Sequence, residues 1–228
     1  MRAEQHAARD ALARRALPSV AGVAALGLLP LAFTREPTAL IVWFALAAPA
    51  AGVLAGSARL PVWPYLPCVP ALWMVALALA SGVSERVLAS PAWAACVWTG
   101  LYCAGAGLGR AVGEKSVQVA ALALLAVGAW VALPIGAAWS AAPFGPETTA
   151  RLLALSPLTW VLDAAGVDWL HHPAFYERAR TFDFGPELVR PLRPALAGGA
   201  ALLLGCALLL AGSLLSRARR AQVPERAA

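Results

Sequence analysis

Six windows of the chain, about residues 16–33, 38–56, 62–81, 90–109, 117–138 and 194–215, are apolar from end to end. None contains an Asp, Glu, Lys, Arg or His. Each is close to the ~20 residues that a helix needs to cross ~30 Å of hydrocarbon. The pattern predicts an all-α polytopic membrane protein with six transmembrane helices forming one membrane domain over 1–228. Loops after the first four windows are short. Only 139–193, between the fifth and sixth windows, has room for structure of its own.

Within that segment the periodicity changes. Ser156 is a helix-capping residue, and Pro157 suits the first helical position, where a missing amide costs nothing. Leu158, Val161, Leu162 and Ala165 follow at i, i+3, i+4 and i+7, one apolar stripe. Thr159 and Asp163 lie away from it. Gly166 is a plausible stop. The expectation is a short amphipathic helix, a second one ending before Pro173, and a hairpin dipping into the outer leaflet without crossing. Trp139, Trp160 and Trp169 suit its membrane–water boundary.

Charge decides orientation. The chain has 228 residues, 61% hydrophobic and 13% charged, with a formal net charge of +6. A soluble core of that apolarity would lack the polar residues to cover itself. With both termini cytoplasmic, the inner segments hold 11 basic and four acidic residues, and the outer ones seven and eight. The positive-inside rule therefore favours this orientation. Basic residues serve topology, and nothing points to nucleic acid. The lead, 1–16, reads as a basic interfacial helix on the lipid surface or a solvated tail. The first window reads as a retained signal anchor, and 216–228 as a basic cytoplasmic tail. An alanine-, arginine- and leucine-rich chain with a single lysine suggests a high-GC bacterium, hence a multi-pass protein of the inner (plasma) membrane.

Small residues predict close helix packing. Gly105, Gly109 and Gly113 share one helix face at the end of the fourth window and just beyond it, as Gly52 and Gly56 do in the second. That spacing lets helices approach, either within the chain, the favoured reading, or at a dimer seam. Prolines at 61, 64, 67 and 70 predict a kinked or extended start to the third window.

Candidate chemistry is sparse. GLGRAVGEKS departs from the phosphate-loop pattern because Glu114 separates Gly113 from Lys115 and no strand precedes it. His171 and His172 are adjacent, poor geometry for one metal. Asp163 and Asp168 do not share a helix face. Cys68, Cys96, Cys103 and Cys206 form no CxxC pair and read as small buried hydrophobes. No catalytic residue, cofactor or metal is expected, and spans without ionisable groups argue against a self-powered pump.

Ser156-Pro157-Leu158-Thr159, followed by Trp160 and Asp163, resembles the Asn/Ser-Pro-Leu-Thr sequence that follows span 5 in permease subunits of type 2 ABC exporters. Those proteins have six spans, both termini inside, a basic interfacial helix before span 1 and short re-entrant helices between spans 5 and 6. The resemblance implies a gating role for Ser156, Pro157, Leu158, Trp160, Leu162 and Asp163. It implies a separate ABC ATPase subunit as partner, and a homodimer or heterodimer with a second permease. ATPase contact would fall to the loops carrying Arg59, Arg110 and Lys115. Cargo would be apolar, amphipathic or bulky. The membrane subunit of a vitamin importer, or an assembly or regulatory membrane protein, remain the other readings.

Overall fold

A computed structural model describes residues 28–34, 36–57, 68–81, 91–112, 117–140, 146–165 and 193–221. Among these, seven α-helices occur and no strand. They are α1 (Pro37–Ser57), α2 (Cys68–Ser81), α3 (Pro91–Val112), α4 (Val117–Ser140), α5 (Pro146–Ala154), α6 (Pro157–Ala164) and α7 (Pro194–Ala221). A 3-10 turn, Leu29–Ala32, contains Pro30, and here the end of the first apolar window is not regular α-helix. Two helices, over Ala39–Ser57 and Pro194–Arg219, are long and apolar enough to cross a membrane. α3 and α4, at 22 and 24 residues, have comparable length.

Two boundaries and one additional helix differ from the sequence expectation. α2 starts at Cys68, so Pro70 falls in its first turn, where the lost amide costs no hydrogen bond. Prolines 61, 64 and 67 lie outside the described residues, as do the N-terminal helix, Gly113 and the helix expected before Pro173. α7 runs six residues beyond its apolar window, so part of the expected tail is helical. Finally α5, four of whose nine residues are polar, is not among the elements the apolar pattern predicts; its Glu147–Arg151 ion pair, 2.6 Å long, is exposed at both ends.

The core is built on α3, which packs most extensively against α7 and α1. Glycine makes both contacts possible. On one seam, a Cβ at Gly105 would collide with the Pro49 carbonyl, at Gly109 with that of Val53, and at Gly52 with that of Tyr102. On the other, a Cβ at Gly100 would meet the Ala201 backbone, and at Gly107 the Leu208 backbone. Gly205 and Gly212 answer against Gly100 and Gly107. Backbones this close gain dispersion contacts that lipid cannot supply, the force that holds helices together in hydrocarbon.

The same pairs give direction. Four residues along α3, from 105 to 109, correspond to four along α1, from 49 to 53. Seven residues, from 100 to 107, correspond to seven along α7, from 201 to 208. Hence α1, α3 and α7 run parallel. Each begins at a proline, Pro37, Pro91 and Pro194, so these lie at one end of the trio. At the other end Arg110 of α3 donates to Ser213 Oγ of α7 at 2.7 Å, and Arg219 of α7 donates to the Ala111 carbonyl of α3 at 2.6 Å.

Phe44, Trp73 and Trp98 join α1, α2 and α3. Phe44 and Trp73 stack at 5.2 Å, and Trp98 meets both edge-on at 5.9 and 5.7 Å. All three rings are buried.

Candidate functional site: the α5–α6 corner

Only Leu155 and Ser156 separate α5 from α6, and the side chains of this junction satisfy its backbone. A helix end leaves carbonyls without intrahelical partners, and each is costly when water is absent. Here the carbonyls of Leu152 and Leu153 accept the amides of Leu155 and Ser156 at 3.1 and 3.0 Å. Thr159 Oγ1 lies 2.6 Å from the Leu153 carbonyl and 2.7 Å from that of Ser156, its one proton shared between them. Trp160 Nε1 donates to the Ala154 carbonyl at 2.6 Å. Trp130 Nε1, from α4, donates to that of Leu155 at 3.2 Å.

Ser156 has two partners. It caps α6 in an extended conformation, its Oγ accepting from the Leu158 amide at 3.3 Å. The same hydroxyl donates to the Val131 carbonyl of α4 at 2.8 Å. That carbonyl belongs to the turn interrupted by Pro134, which has no amide and crowds the preceding turn. Trp130 and Trp160 close the junction edge-to-face, 6.0 Å apart at 83°. Ser-Pro-Leu-Thr-Trp thus supplies a cap, a helix start and two donors to the preceding helix end.

Burial corrects the amphipathic expectation. Leu158, Val161 and Leu162 are buried as the stripe requires, but so are Thr159 and Asp163, the latter 5% exposed. Pro157 is also buried, and Trp160 is half-buried. α6 touches α1, α3 and α7 as well as α4 and α5. It is enclosed by helices on both faces rather than laid on a surface. Periodicity could not reveal this, because Thr159 reads as polar until its carbonyl partners are known. The helix ends at Ala164, with a turn at Ala165 ahead of Gly166.

Of the remaining candidates, Gly52, Gly56, Gly105 and Gly109 meet in the α1–α3 seam. Arg110 is tied to Ser213. Arg59, Lys115, Asp168, His171 and His172 lie outside the described residues. Cys103 is buried, Cys96 half-buried, and Cys68 and Cys206 exposed, so the cysteines are not uniformly core residues. No group of three metal-ligating side chains occurs among the described residues. The α3–α7 seam was missed, although its signal, glycine at 100 and 107 and at 205 and 212, is a plain period of seven. Comparison with family models, curated proteins and solved structures finds no match to this chain.

Proposed function

We propose that the chain is a six-span, multi-pass protein of a bacterial inner membrane and serves there as the permease subunit of a type 2 ABC exporter. ATP hydrolysis then belongs to a separate ATPase subunit, and a second permease completes the pathway. The observation that carries this reading is the α5–α6 corner. A short buried helix, opened by Ser156-Pro157-Leu158-Thr159, lies between the fifth and sixth apolar windows and touches the helices of the second, fourth and sixth.

Direction supports the span count. In a six-span chain the even spans all cross the same way, and α1, α3 and α7 are parallel. The C-terminal ends of the trio, which carry Arg110 of α3 and Arg217 and Arg219 of α7, then face the cytoplasm. Arg110 falls at that side, where the ATPase would act, and Arg59 and Lys115 follow α1 and α3 closely in sequence. Closure of the ATPases would displace these ends. α4, linked to the corner through Val131 and Trp130, gives that motion a route to α6. Apolar spans suit an apolar, amphipathic or bulky cargo passing through a transient gap.

The test is purification of the full chain in mild detergent, followed by reconstitution. Recovery of an ABC ATPase, together with ATP-dependent flux in vesicles, is expected. Absence of both overturns the permease reading. One-to-one binding of a small vitamin by the isolated chain would point instead to an importer subunit.

A further inference from the structure

The outward face of α7 changes character along its length. Leu203, Leu210 and Leu214 are 75%, 65% and 63% exposed. At 100° per residue they form one stripe, and Arg217, also exposed, continues it. Ser213 precedes Arg217 by four residues, so the two are neighbours on the helix surface. Ser213 Oγ receives Arg110 Nη1 from α3. The Arg110 guanidinium is therefore held one helical turn from Arg217, and two positive charges share this stretch of α7. Neither α3 nor α7 contains an acidic residue. Arg217 makes no hydrogen bond or ion pair among the described residues, and Arg110 uses one of its five N–H donors on Ser213.

We propose that Arg110 and Arg217 bind the headgroup phosphate of an anionic membrane lipid, with an acyl chain along Leu203, Leu210 and Leu214. The inference rests on the membrane reading above but is independent of the exporter assignment. Leu203 to Arg217 spans roughly 21 Å of helix, which covers one leaflet's ~15 Å of hydrocarbon and a headgroup. A phosphate between the two guanidiniums offers acceptors to both forks and removes their repulsion. A second copy of the chain fits this face poorly. A two-fold axis along the membrane normal would set Arg217 against its own counterpart, unpaired.

The test uses the full chain in detergent, with native mass spectrometry after titration by phosphatidylglycerol or phosphatidylcholine. Retention of phosphatidylglycerol at least tenfold above phosphatidylcholine is expected. Arg217→Gln should abolish that preference, while Leu210→Gln should lower retention of both lipids; unchanged helicity and melting show that the variants fold. Equal retention of the two lipids, or a preference surviving in Arg217→Gln, overturns the proposal. Displacement by millimolar inorganic phosphate would mean a free-anion site, and a dimer lost in Arg217→Gln would mean a second copy; either overturns it. Extraction of the chain from membranes by alkaline carbonate would refute the membrane reading separately.

Discussion

Ser156 is the residue on which the corner turns, because one hydroxyl serves two elements. It accepts from the amide of α6 and donates to a carbonyl of α4. Ser156→Ala removes a helix cap, worth about 1 kcal/mol. It also leaves the buried Val131 carbonyl short of a donor, a further ~1–3 kcal/mol. A loss of about 2–4 kcal/mol is expected, read as lower thermal stability in detergent. Ser156→Asn should recover part of the capping contribution, so a fall equal to that of alanine would show that the cap is unimportant. Thr159→Val keeps the shape but removes the donor shared by Leu153 and Ser156. It should cost about 1–3 kcal/mol, and a neutral result in the same melting assay would remove Thr159 from the account of the turn.

At the scale of helices, glycine position separates contact from tolerance. Gly107 sits against the Leu208 backbone, whereas nothing approaches within 4 Å of the position a Cβ would take at Gly199. Gly107→Val must push α3 and α7 apart and should cost ~3 kcal/mol or more. Gly199→Ala should be neutral or gain ~0.5–1 kcal/mol, since it restricts the unfolded chain without a clash. Equal melting temperatures for the two variants would contradict the seam. α6 makes a sharper case. Leu158 and Leu162 are enclosed, so Leu158→Asp combined with Leu162→Asp would bury two carboxylates without partners. Failure of the chain to accumulate in membranes is the expected outcome. A wild-type yield would mean that α6 is not packed as described.

For the whole molecule, the parallel run of α1, α3 and α7 makes orientation testable. Glu36, which precedes α1, and Arg193, which precedes α7, belong to one end, and Arg217 to the other. In a background with the four native cysteines replaced, cysteine at 36 or 193 should react with an impermeant thiol reagent added outside the cell. Cysteine at 217 should react only after the membrane is opened. Labelling of 36 and 193 from opposite sides would break the parallel arrangement and the six-span reading with it.

Apolar windows free of charge determine that the chain is helical and where its long helices lie, because in hydrocarbon a backbone must satisfy itself locally. α1, α3, α4 and α7 match their windows to within a few residues at all but the last end. The cap at Ser156, the start at Pro157 and the glycine face of α1 and α3 were legible for the same reason: each is a local steric or hydrogen-bonding demand. The faces were not. Whether Thr159 and Asp163 meet solvent or protein depends on what packs beside α6, and α1, α3 and α7, all distant in sequence, do so. Nor does sequence alone join Arg110 to Ser213 across 103 residues. Local chemistry sets the elements; only tertiary packing decides which of their polar groups are enclosed and which cations are brought together.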